Sequence, residues 1–118
     1  MTLDSFRGER TVVLFWNPRC GYCKRMLDDL RAWEVNPPDG APKLLVVSQG
    51  DHEANRAMGL QSPVVLDQGF TTGRAFGATG TPSAVLVDAE GKIASQVAVG
   101  APAILALAGA DQGQRPTL

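Results

Sequence analysis

Strand-length apolar runs alternate along this chain with stretches of helical period, and turn residues fence each one. That alternation constrains the fold more than any other feature, because strands separated by helices form a largely parallel sheet that needs helical cover. Thr11–Trp16 is a continuous run of β-branched, aliphatic and aromatic residues, as expected of a strand buried on both faces. Asn17-Pro18 breaks it. From Gly21 the period changes: Cys23, Met26, Leu27, Leu30 and Trp33 share one stripe, and Lys24, Arg25, Asp28, Asp29 and Arg31 fall opposite. Asn36-Pro37-Pro38-Asp39-Gly40 ends that helix.

Lys43–Ser48 reads as a second buried strand, and residues 51–58 as a short helix closed by Gly59. Residues 62–67 read as a third strand whose Pro63 suits a sheet edge. Residues 70–76 read as another short helix. Ser83–Val87 and residues 93–99 read as two strands of a hairpin joined by Asp88-Ala89-Glu90-Gly91-Lys92. Residues 101–110 read as a final helix and 111–118 as a loose tail. The order β-α-β-α-β-α-β-β-α predicts one α/β domain over residues 1–118, mainly parallel with an antiparallel edge. The last helix has almost no polar face, which fits either contact with another domain or subunit or burial against its own sheet.

Composition removes several function classes. Lys and Arg total 11 against 12 Asp and Glu, a net charge of −1, so nothing in the charge balance points to nucleic acid or an anionic membrane. No apolar run reaches the length of a membrane span, and no apolar signal segment follows Met1, so no direct membrane insertion is expected. Two cysteines and one histidine, His52, are too few for a Cys₄ or Cys₂His₂ zinc site.

The two cysteines, Cys20 and Cys23, are spaced C-G-Y-C, a separation that random placement would give about one time in sixty. Their position at a strand-to-helix junction matters more. Cys20 falls at the first helical turn, where free N–H groups and the positive end of the helix dipole stabilise a thiolate. Arg19, Lys24 and Arg25 add charge of the same sign. Cys23 lies on the apolar stripe and is expected to be buried and less acidic. One thiol can then attack while the other resolves, which is what dithiol–disulfide exchange requires. Three alternatives stand beside this one. They are an inert disulfide, a metal site completed by another chain or by His52 as a copper carrier, and two ordinary buried thiols.

The stretch Phe15-Trp16-Asn17-Pro18-Arg19-Cys20-Gly21-Tyr22-Cys23 resembles the thioredoxin superfamily, and most of all its bacterial envelope branch of the TlpA/ResA type. Gly80-Thr81-Pro82 ahead of a strand resembles that family's cis-proline loop, and Asp88-Ala89-Glu90-Gly91-Lys92-Ile93 its hairpin. Residues 51–67 match the helix–strand insertion of the branch. The likeness spans roughly residues 3 to 110 and implies a thioredoxin-like fold. That fold has a central mixed five-stranded sheet flanked by about four helices, with the insertion in its middle. It implies catalytic roles for Cys20 and Cys23 and substrate contacts at Thr81, Pro82, Gly21 and Tyr22. Trp16 would pack beneath the site and Arg19 would support it. A cis bond before Pro82, against the usual trans preference, would offer the Thr81 backbone to an extended substrate.

Departures from the pattern carry information. Thioredoxin has a buried aspartate six residues before its first active cysteine, where this chain has Leu14, and the envelope branch often has a glutamate where this chain has Met26. Cys23 therefore lacks an evident general base, with Asp67 only a distant candidate. Gly21-Tyr22 is neither the Gly-Pro of reducing thioredoxins nor the Pro-His of DsbA, so the dipeptide leaves the direction of electron flow open. A peroxiredoxin would need threonine three residues before its reactive cysteine, and Asn17 stands there.

The resemblance implies a protein disulfide oxidoreductase that reduces disulfides of envelope proteins, with no metal or organic cofactor. An upstream dithiol, such as a membrane electron carrier, would recharge it. The alternatives are an oxidant or isomerase of the same fold, or a redox-inert or metal-carrying module. Only residues 1–10 precede the first strand where the branch has an extra hairpin, so the chain reads as a domain trimmed from a longer periplasmic or otherwise extracytoplasmic protein. The other reading is a complete minimal cytosolic protein.

Overall fold

The computed structural model describes residues 9–109. Thr11–Trp16 forms β1, Gly21–Val35 α1, Lys43–Ser48 β2, His52–Arg56 α2, Val64–Leu66 β3, Thr71–Ala75 α3, Ser83–Val87 β4, Ala98–Val99 β5 and Ala101–Leu107 α4. The five strands lie in the order β3-β2-β1-β4-β5. This is the mixed sheet of a thioredoxin-like fold, with β1 at its centre.

β1 is buried at every residue because both faces of the sheet are covered. Val12, Leu14 and Trp16 face one layer, packed with Cys23, Met26 and Leu30 of α1, Ile104 of α4 and Met58 beyond α2. Val13 and Phe15 face the other with Ala78, Phe70 and Phe76 around α3. Phe70 and Phe76 meet Phe15 edge-on, at ring centroid distances of 6.2 and 5.7 Å. Phe70 can do so because residue 73 is glycine: a Cβ there would lie 2.6 Å from its ring.

β1 pairs in parallel with β2, and β2 with β3. Pro63 precedes the edge strand β3, as its lack of an N–H requires. The sheet is less parallel than the element order predicts, because β4 runs antiparallel to β1. Between β3 and β4 the chain makes only the single 3₁₀ turn at Gln68–Phe70 and the five-residue α3. α3 rises about 7.5 Å against the roughly 20 Å of a six-residue strand, so no helix runs back along the sheet. The chain therefore re-enters the sheet from the end at which it left, with Ser83 opposite Phe15.

The strand expected over residues 93–99 shrinks to Ala98–Val99 plus a single bridge between Ile93 and Val87. Ser83 and Ala84 pair with Val99 and Ala98, so residues 94–97 face only Val85 and Leu86 across a wide bulge. The Ser95 hydroxyl fills the gap by accepting the Leu86 N–H at 2.9 Å. The turn itself is as expected, with Asp88 Oδ1 accepting the N–H groups of Glu90 and Lys92. α2, β3, α3 and α4 are each shorter than the sequence suggests. Asp51 is the N-cap of α2, not its first residue. The expectations for residues 1–8, Ala110 and the tail 111–118 lie outside the described residues.

Candidate active site

β1 ends at Trp16 and α1 begins at Gly21, so residues 17–20 turn the chain from sheet to helix. Asn17 shapes that turn: its carbonyl accepts the Cys20 N–H and its Oδ1 the Arg19 N–H, both at 3.0 Å. Cys20 is thereby set as the N-cap of α1 with an extended backbone. Three residues on, Cys23 enters the core and is fully buried, while Cys20 stays half-buried. Both are free thiols.

Their environments push the two thiols apart. At Cys20 burial raises the pKa, but the Cys23 N–H, the side chains of Thr81 and Cys23 and the Tyr22 N–H together outweigh it, so the thiol titrates below its ordinary range. None of these N–H groups reaches full capping geometry with the sulfur, and the first turn holds no acidic residue to oppose the dipole. At Cys23 burial dominates and pushes the thiol up to about 12, with the neighbouring Cys20 charge adding to it. Hydrogen bonds from the Asn17 backbone and the Thr81 side chain only partly offset that rise.

The antiparallel entry of β4 brings Thr81 and Pro82 to the same end of the sheet. Cys20 Sγ lies 3.5 Å from the Thr81 carbonyl oxygen, and the Thr81–Pro82 bond is cis. That loop is held from both sides: the Ser83 hydroxyl donates to the Gly80 carbonyl at 2.7 Å, and the Gly100 N–H to the Pro82 carbonyl at 3.1 Å. Trp16 lies in the same core cluster as Cys23, and its Nε1–H donates to Met58 Sδ at 2.8 Å.

Beside the cysteines runs an open groove of about 470 Å³, lined by Tyr22, Arg25, Thr81, Pro82 and residues 99–102. Tyr22 is 69% exposed and Val99 70%. The Arg25 guanidinium sits 5.5 Å from the centre of the Tyr22 ring. Of the sequence-predicted residues, Cys20, Cys23, Tyr22, Thr81 and Pro82 are brought together. Gly21 opens α1 with free space around its Cα. Arg19 is not in the groove; it lines a shallow depression with Asn17, Gln49 and Asp51. Val99, Ala101 and Pro102 were not foreseen, since only the β4–β5 pairing brings them near residue 22.

Asp67 is not placed as a base. Its carboxylate accepts the N–H groups of Thr72 and Gly73 at 2.9 and 3.1 Å and so caps α3. His52 is exposed with its ring nitrogen 2.7 Å from an Arg56 nitrogen. Among the described residues no group of three His, Cys, Asp or Glu side chains could hold a metal ion. No helix among them is long and apolar enough to cross a membrane.

The sequence profile of the Redoxin family matches residues 1–112, and the chain belongs to that family. No curated protein matches it in sequence. Among solved structures, it is similar to StoA from Bacillus subtilis, at 23% identity and a TM-score of 0.67 over 86% of this chain and 81% of that one. A putative thioredoxin from Neisseria meningitidis is 25% identical, with a TM-score of 0.71 over 92% of this chain and 75% of that one. A secreted Mycobacterium tuberculosis disulfide oxidoreductase homologous to E. coli DsbE is 19% identical, with a TM-score of 0.64 over 87% and 85%. The resemblance to thioredoxin-like thiol–disulfide oxidoreductases is borne out.

Proposed function

We propose that the protein is a thiol–disulfide oxidoreductase whose reactive couple is Cys20–Cys23, working in the reducing direction on protein disulfides. The observation that carries this reading is the split between the two thiols. Cys20 is accessible and acidified at the start of α1, while Cys23 is buried and kept protonated one turn inside. The Cys20 thiolate attacks a client disulfide and forms a mixed disulfide, expelling one client sulfur as thiolate. Cys23 then attacks Cys20, its proton and the electron pair of the broken bond leave with the second client sulfur, and Cys20–Cys23 is oxidised. A dithiol donor must reduce it again, and a membrane electron carrier would fit that role. Thr81, Pro82, Gly21 and Tyr22 contact the client, Trp16 supports the site from below, and Arg19 contributes only its charge. No metal or organic cofactor takes part.

Residues 1–118 form one thioredoxin-like domain in this reading. The secreted disulfide oxidoreductase among similar structures supports an extracytoplasmic location. The deciding measurement is the reduction potential of the couple, read by mass spectrometry of alkylated thiols across dithiothreitol and glutathione buffers. A value near −270 mV, about that of thioredoxin, is expected. A value at or above about −180 mV makes the protein an oxidant or isomerase. No two-electron transition at all leaves a binding module. In parallel, Cys20→Ser abolishes turnover and Cys23→Ser accumulates the mixed disulfide; full activity in Cys20→Ser overturns the assignment.

A further inference from the structure

The groove beside Cys20 has an uneven chemistry. Its walls are Tyr22, Pro82, Val99, Ala101 and Pro102, and Arg25 is its one charged lining residue. Tyr22 and Val99 leave large apolar faces open to solvent at its rim. Arg25 has no ion-pair partner among the described residues, where the pairs formed are Lys43–Glu9 and Lys92–Glu90. Its guanidinium is instead held against the face of Tyr22, which keeps the cation at the groove and leaves its N–H fork free for a planar acceptor. Lys24 and Arg19 flank Cys20 with the same sign of charge, and α1 carries no acidic residue in its first turn.

We propose that this groove selects client segments carrying an apolar side chain next to the reactive cysteine and a carboxylate that pairs with Arg25. The inference rests on the oxidoreductase reading above and adds the client's chemistry to it. Arg25 lies five residues along α1 from Cys20, about 7.5 Å of helix rise, which an extended client spans in about two to three residues. The apolar side chain covers Val99 and Pro102. The carboxylate meets the Arg25 fork in a bidentate pair beside an apolar wall, where it gains more than on an open surface.

Peptides of six residues with one cysteine, linked as a mixed disulfide to thionitrobenzoate, test this directly. Reduced Cys23→Ser protein attacks the peptide sulfur, forms the Cys20–peptide disulfide and expels thionitrobenzoate, whose absorbance gives the second-order rate. Peptides carry Asp, Asn or Lys two or three residues from cysteine on either side, each with Leu or Ser next to it. The Asp–Leu peptide is expected to react about three- to tenfold faster than its Asn counterpart, with Lys slowest. The Asp-to-Lys ratio inverts in Arg25→Glu and falls towards one in Arg25→Gln. Ratios within one variant cancel any change in the Cys20 thiol itself. Equal rates for the three peptides, or an Asp preference that persists in Arg25→Glu, overturn the proposal while leaving the oxidoreductase reading intact. If no peptide reacts faster than with Cys20→Ser, the reading beneath it fails instead.

Discussion

Cys23 packs among Leu14, Trp16 and Met26. Among the described residues the one buried carboxylate, Asp67, is engaged in capping α3, so the proposed resolving step has no carboxylate beside Cys23 to take its proton. A thiol titrating near 12 is ionised in only about one molecule in 100,000 at pH 7. Forming the mixed disulfide removes the Cys20 charge that helps raise Cys23, but burial, the larger cause, remains. Client release in the wild-type protein is therefore expected to quicken about tenfold per pH unit from pH 6 to 9. The first attack should instead bend towards a plateau at lower pH than client release does, because the Cys20 thiol is lowered in the fold while Cys23 is raised. Stopped-flow mixing with a peptide disulfide separates the two phases, and a release rate that levels off below pH 9 would contradict the protonated Cys23. At this scale the sequence was most legible. A helix start and an apolar stripe already distinguish the two cysteines, since both are local properties of one segment. Arg25 as a groove residue was not legible, because its neighbours Val99 and Pro102 come from the far end of the chain.

Among the elements, those with long periodic patterns were readable and those set by single side chains were not. β1, α1 and β2 fall where their patterns put them, because each buries a full face. β5 does not, because the Ser95 hydroxyl substitutes for a ladder partner, and no periodicity encodes that. The join between α1 and β3 depends in the same way on one residue. Near the end of α1, Glu34 turns its carboxylate onto the chain ahead of β3, accepting the Gln61 N–H on both oxygens at 2.9 and 3.0 Å and the Ser62 N–H at 2.7 Å. These are charge-assisted bonds, the stronger kind, and they fix the edge strand against the helix that carries the cysteines. Glu34→Ala should cost about 1 to 3 kcal/mol in urea unfolding, and Glu34→Gln, which keeps one oxygen acceptor, less. Unchanged stability in Glu34→Ala would mean that water serves those N–H groups equally well.

Over the whole molecule, the sheet holds Cys23 at the centre of one layer, so its proton is tied to folding itself. The thiol titrates near 9.0 when solvated and about 12 in the fold. Below pH 9 both states keep the proton and stability is unaffected. Between those values the unfolded chain sheds a proton that the folded chain retains, so unfolding is favoured as pH rises. The loss approaches about 1 kcal/mol per pH unit and ends once the folded thiol also ionises. Cys20, lowered in the fold, acts with the opposite sign and favours folding at alkaline pH, so the wild-type curve alone mixes the two. Reduced Cys23→Ser keeps Cys20 and lacks the buried proton. Urea unfolding of both reduced proteins between pH 8 and 11 should therefore show the wild type losing stability faster above pH 9. The oxidised wild type has neither thiol proton and should lack this steepening. Parallel curves for the reduced wild type and Cys23→Ser would place the Cys23 thiol in contact with water, and the proposed division between an attacking and a resolving thiol would then have to come from Cys20 alone.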